Sequence, residues 1–230
     1  MLNIVKNTTF PGLFDLIAPH SCRGCGCLGQ PLCDCCKKNI INNSCDFCPS
    51  CKQPKIGGKC PNCKALPPTF FVGERSGLLN QIIHDYKYHS IRALAPQLAE
   101  LLTTKLPNNL PKNSIIVPLP TATNHIRSRG FDHTKIIALC LAKQKHIKTK
   151  TVFLRTKNTV QVGANREARL AQAEHAFTIN PKTKIDQTTT YILFDDVWTT
   201  GASMNAAIKK LQQAGAEKII ISLLAVSRLD

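Results

Sequence analysis

Apolar residues at Leu78, Leu79, Ile82, Ile83 and Tyr86 recur at the spacing of one helical face, and predict a helix over Leu78–Tyr88. Ala93–Leu106 and Thr134–Gln144 carry the same period, with Pro96 tolerable in a first turn. Ser114–Val117 and Thr151–Leu154 read as short strands. The pattern is clearest near the C-terminus. Thr190–Phe194 is an uninterrupted apolar run of the kind found in buried strands, and ends at Asp195 and Asp196. Ser203–Gln213 follows as a helix with Met204, Ala207, Ile208 and Leu211 on one stripe, and Gly215 stands where a helix-ending glycine belongs. Lys218–Val226 is a second apolar strand. Strand, helix and strand in this space make a βαβ unit, so the fold class is α/β with a parallel sheet flanked by helices.

Composition bounds this picture. The chain has 230 residues, 43% of them hydrophobic, enough for a real core and too apolar for a disordered tail. No stretch approaches the roughly 18 apolar residues of a membrane helix, and no signal-peptide pattern precedes Asp15. These features predict a cytoplasmic protein without membrane insertion. The net charge is +16, and residues 64–150 hold 13 basic and 4 acidic residues of it, so a polyanion is expected to dock there.

Eleven of the twelve cysteines lie between Cys22 and Cys63, which in a reducing compartment points to metal rather than disulfides. Four C-x-x-C pairs stand out: Cys22/Cys25, Cys33/Cys36, Cys48/Cys51 and Cys60/Cys63. One C-x-x-C turn brings two thiolates to one ion, and two turns complete a tetrahedral S₄ site for zinc. The pairs therefore predict one or two structural zinc ions in a small Cys-rich domain, residues 1–66, a double zinc ribbon. Cys27, Cys35 and Cys45 are additional thiols able to replace an assigned ligand. A redox dithiol or an uncoordinated cluster is the alternative. Ala65–Thr69, with two prolines, reads as the linker to a second domain, residues 67–230. Gly24–Gly29 matches G-x-G-x-x-G, but it lies among metal-spaced cysteines rather than between a strand and a helix.

The strongest chemical signal is Asp195-Asp196-Val197-Trp198-Thr199-Thr200-Gly201-Ala202-Ser203. A buried strand delivers two carboxylates to its carboxyl end, where ligands of open α/β sheets bind. Thr199, Thr200, Gly201, Ala202 and Ser203 then form a loop into a helix N-terminus, a combination suited to phosphate. Carboxylates suit the vicinal hydroxyls of a ribose. The plainer reading is a strand end, a turn and a helix cap with solvated acids.

This segment resembles the phosphoribosyl pyrophosphate (PRPP) motif of type I phosphoribosyltransferases. Together with the Cys pairs, Lys87-Tyr88, Val117-Pro118-Leu119-Pro120, Arg127-Ser128-Arg129-Gly130-Phe131, Gln161, Arg169 and Phe177, nearly the whole chain resembles the ComF (GntX-like) family of competence-associated proteins. The resemblance implies PRPP bound with Mg²⁺, its ribose hydroxyls on Asp195 and Asp196 and its 5′-phosphate on residues 199–203. It implies Lys87, Arg127 and Arg129 for the pyrophosphate, and Gln161, Arg166 and Arg169 on a loop over the site. Asp132 and His133 stand where the family has Asn and Gln, and Trp198 replaces a small aliphatic residue.

Two functions follow from the resemblance. One is handling of single-stranded DNA during natural transformation, with DNA-uptake or recombination proteins as partners. The other is an active PRPP-dependent transferase of nucleotide metabolism or salvage. Sensing of PRPP or a nucleotide is a third. The sequence carries no acceptor-base element, so turnover stays open.

Overall fold

The computed structural model describes residues 20–156 and 176–227. In chain order these are β1 (His20–Ser21), β2 (Leu28–Gly29), α1 (Asp34–Asn42), β3 (Thr69–Glu74), α2 (Gly77–Tyr88), a 3₁₀ turn (Arg92–Leu94) and α3 (Ala95–Lys105). Then come β4 (Ser114–Pro118), α4 (Thr123–Arg129), α5 (His133–Lys145), β5 (Lys148–Thr149), β6 (Phe153–Arg155), β7 (Phe177–Ile179), β8 (Thr190–Trp198), α6 (Ala202–Gln213) and β9 (Lys218–Val226). No helix among the described residues is long and apolar enough to cross a membrane.

β8 and β9 pair in parallel from Thr190↔Lys218 to Trp198↔Val226, and the five-stranded sheet runs β3-β9-β8-β4-β5, parallel throughout. β8 is its central strand. A parallel sheet needs both faces covered, and the alternation along β8 shows how this is done. Ile192 and Phe194 join one buried cluster with Ile82, Leu98 and Ile137 of α2, α3 and α5. Tyr191 and Leu193 join the other with Met204, Ala207 and Leu211 of α6.

The predicted helices appear as α2, α3 and α5, and the C-terminal βαβ unit as β8, α6 and β9. Three features differ from expectation. Residue 69, taken as linker, opens β3, an edge strand on β9. The strand expected at Thr151–Leu154 is β6, which leaves the main sheet to pair antiparallel with β7. β8 runs four residues past Phe194, so Asp195 and Asp196 lie within the strand rather than after it.

The cysteine-bearing segment is packed onto the sheet domain by burial. Cys22, Leu32, Cys36 and Ile40 enter the same cluster as α2 and α3. Phe47 meets Phe71 of β3 edge-on, with ring centroids 5.2 Å apart. Lys37 bridges Asp34 at 2.7 Å and Glu100 of α3 at 2.6 Å. The buried Lys55 ammonium pairs with Asp46 at 2.8 Å and lies 4.4 Å from the Phe71 ring centre. A buried cation is tolerable only when paired in this way.

Candidate functional site

The pleat of β8 separates the acidic pair, because successive side chains point to opposite faces. Asp196 falls on the α2/α5 side. Its Oδ2 lies 2.6 Å from Lys87 Nζ and 2.5 Å from His133 Nε2. Lys87 comes from the last turn of α2, and His133 opens α5. Asp132 fixes that helix start: its carboxylate accepts from the Lys135 N–H at 3.1 Å and from the Thr121 hydroxyl at 2.9 Å. The buried Tyr86 hydroxyl donates to the His133 carbonyl at 2.9 Å.

Arg129 continues the chain of contacts. Its Nη1 lies 2.9 Å from His133 Nδ1, and its guanidinium lies 5.1 Å from the Tyr88 ring centre. A guanidinium can only donate, which assigns Nδ1 as acceptor and leaves Nε2–H to donate to Asp196. Burial pushes the Asp196 carboxyl up, but Lys87 and His133 together outweigh it and hold it well below the usual carboxylate range.

Asp195 faces the other way. It borders a small hollow lined by Trp198, Thr199, Thr200, Gly201, Ala202 and Ser203. The Asp196 N–H donates to its Oδ1 at 2.9 Å. Burial and the neighbouring Asp196 charge nevertheless push Asp195 up to about 7. The Lys87 charge, and that of Arg155 from β6, act in the opposite direction. Arg155 also donates to the Pro120 carbonyl at 3.2 Å.

The loop itself turns at Gly201, which has φ +76 and caps α6. A Cβ there would lie 2.1 Å from the Trp198 indole, so glycine is required by both backbone and packing. The Thr200 hydroxyl accepts from the Ala202 N–H at 3.4 Å, while Thr199 and Ser203 are exposed. The unpaired N–H groups of a helix's first turn attract anions.

The structure thus brings together Asp195, Asp196, Lys87, Arg129 and the loop 199–203. Arg127 is exposed on α4, and Gln161, Arg166 and Arg169 lie outside the described residues. The sequence reading missed His133 and Arg155. His133 was visible as a departure beside Arg-Gly-Phe, but its pairing spans 63 residues. Arg155 falls in no motif.

The described residues hold two cysteine clusters. Cys48, Cys51, Cys60 and Cys63 have all thiols within 4.8 Å of one another, with Cys48–Cys63 at 3.6 Å and Cys51–Cys60 at 3.5 Å. In the other, Cys22, Cys25, Cys27 and Cys33 meet the same limit. Cys36, expected as the fourth ligand, is buried with its thiol interacting with Cys22, Cys25 and Cys33, so five thiols serve one position. Cys35 and Cys45 are exposed. Burial opposes ionisation of Cys22, but backbone N–H groups of Cys33, Cys25 and Gly24 draw it down to about 6. The Cys63 N–H does the same for Cys60. Thiolates held by knuckle N–H groups suit a tetrahedral thiophilic ion.

A parallel α/β sheet with acids at the end of its central strand and a glycine-turned loop behind them defines a phosphoribosyltransferase-like protein. Residues 84–228 match the family model of uracil phosphoribosyltransferase, more than half of the chain, and the chain belongs to that family. Its similar curated relatives are competence proteins. It is 21% identical to Competence protein ComFC of Bacillus subtilis, over 86% of this chain and 84% of that one. It is 24% identical to Competence protein ComFC of Streptococcus pneumoniae, over 82% and 84%. It is 25% identical to Competence protein F of Haemophilus influenzae, over 84% and 90%.

The raised Asp195 sets a pH dependence. Between the ordinary carboxylate value and about 7 the folded chain holds this proton more tightly than the unfolded chain, so this group's contribution to stability falls as pH rises through that window. Asp195→Asn is expected to be more stable than the parent at pH 8, with the advantage shrinking toward pH 4. Denaturant titrations of both proteins across this range check it, and a pH-independent difference refutes the assignment.

Proposed function

We propose that the chain is a competence-associated phosphoribosyltransferase-like protein that binds PRPP with Mg²⁺ at the carboxyl end of β8 and handles single-stranded DNA. The observation that carries the first half is the division of the acidic pair. Asp195 faces the loop hollow, where it can take ribose hydroxyls as the 5′-phosphate settles on residues 199–203. Asp196 anchors Lys87 and His133, and through His133 it orients Arg129, so two cations stand beside a carboxylate that fixes their positions. In this reading Lys87 and Arg129 take the pyrophosphate, and Arg127, exposed on α4, is not drawn into the cluster. The carboxylate oxygens are hard donors of the kind Mg²⁺ accepts. When bound, Mg²⁺ neutralises charge on the pyrophosphate.

The DNA half of the reading rests on the resemblance to competence-associated proteins and on the concentration of basic charge in residues 64–150. The exposed Tyr88 ring, with Arg129 against it, offers a base a stacking surface. DNA-uptake or recombination proteins are the partners this reading implies. The second reading, an active PRPP-dependent transferase, is favoured by the intact acidic pair, and pyrophosphate release with a panel of bases tests it. Zinc is proposed for the cysteine clusters, Cys48/Cys51/Cys60/Cys63 as one set and four of Cys22, Cys25, Cys27, Cys33 and Cys36 as the other, with a structural role.

Calorimetry with Mg²⁺–PRPP is expected to show binding that Asp195→Ala with Asp196→Ala abolishes, and that Lys87→Ala weakens roughly 10-fold or more, the loss of one charge-assisted contact. Unchanged affinity in the double variant overturns the site. Binding of single-stranded oligonucleotide should fall steeply with salt, with a log–log slope near −0.7 for each phosphate neutralised. Absence of binding at low salt removes the DNA half. Elemental analysis should find one or two zinc ions per chain, with unfolding on strong chelation. Zinc-free protein that stays folded refutes the structural role.

A further inference from the structure

The C-terminal end of α2 holds a cluster that the phosphoribosyl site does not use. His84, Asp85 and His89 present ligand atoms that all lie within 4.8 Å of one another. Asp85 is buried, with a side chain 5% exposed, while His84 and His89 are exposed. The Asp85 Oδ1 lies 2.9 Å from His89 Nδ1, and the two imidazole rings have centroids 5.2 Å apart.

We propose that these three residues form a third metal site, for a late first-row divalent ion such as Zn²⁺, Co²⁺ or Ni²⁺. Bonds of about 2.0–2.2 Å to imidazole nitrogen and carboxylate oxygen put neighbouring ligand atoms roughly 2.9–3.4 Å apart. Asp85 Oδ1 and His89 Nδ1 already stand at that separation. His84, exposed and with its ligand atom within 4.8 Å of both, completes the set.

The carboxylate is held in place before any ion arrives. Arg23 Nε donates to Asp85 Oδ2 at 2.8 Å, and the Gln81 amide donates to the Arg23 carbonyl at 2.9 Å. A fixed carboxylate with its second oxygen hydrogen-bonded is how outer residues orient a metal ligand. The second imidazole, His84, stands beside this pair, with ring contacts to Tyr88 at 4.8 Å and His89 at 5.2 Å.

The donor set decides the ion. Two imidazoles and one carboxylate select zinc and its neighbours over Mg²⁺ or Ca²⁺, which prefer oxygen alone. Three protein ligands leave an open position for water or an anionic oxygen. The Arg23 charge nearby lowers affinity, so an ion here is expected to exchange readily. The site stands independently of PRPP binding.

The test is titration of Co²⁺ into tag-free full-length chain whose cysteine clusters are loaded with zinc. One additional ion per chain is expected, giving weak visible bands without the intense near-ultraviolet absorption of a cobalt–thiolate bond. His84→Ala and His89→Ala should each weaken binding at least 10-fold while the zinc content stays unchanged. Asp85→Asn should do the same, and its melting curve shows whether the fold survives loss of the Arg23 pair. The two histidine variants keep the test decisive if it does not. Thiolate absorption, no ion beyond the zinc, or full binding by the double histidine variant overturns the proposal.

Discussion

A carboxylate buried at the end of a hydrophobic strand must be paired, and Asp196 meets that demand by drawing two distant elements to one point. Its strand neighbours Ile192 and Phe194 are fully buried. An unpaired charge beside them would cost several kcal/mol. Lys87 and His133 supply the partners, and with them the ends of α2 and α5 are registered against β8. Arg129 and Tyr88 take their positions from His133 and from α2. The geometry of the cationic cluster beside Asp196 therefore descends from one oxygen atom.

The same helix α2 carries a second tie. Asp85 receives Arg23, which lies between Cys22 and Cys25, and Arg23 ties the first cysteine knuckle to the helix whose last turn carries Lys87. Leu32, Cys36 and Ile40 strengthen that junction by burying apolar surface in the core of the sheet domain. The cysteine segment is thus continuous with the framework of the site in its packing, although its sequence reads as a separate module.

Much of this was legible locally. Periodicity located α2, α3, α5, α6 and the two long strands, because each has one or two buried faces over at least nine residues. β3 was hidden by the prolines before it, and α4 by the absence of any buried residue on it. β6 was seen as a strand, but its partner could not be, since β7 has only three residues and pairing is a property of two segments. The acidic pair and its loop were evident as a motif. Their division between two faces was not, since the strand had been ended at Phe194. His133 and Arg155 escaped for the reason that Cys27 competes with Cys36: contacts formed across sequence distance leave no spacing to read. The second cysteine cluster, built from two regular turns, carries its grouping in its spacing.

Trp198 is the one tryptophan of the chain, and it is buried with its indole against Gly201 in the hollow of the loop 199–203. The protein consequently carries its own optical reporter at its most informative position. Any ligand that shifts the loop changes the packing of this ring, and its emission follows without a label. The close approach that forbids a side chain at residue 201 is also what couples the fluorescence of the whole molecule to a few atoms beside Asp195.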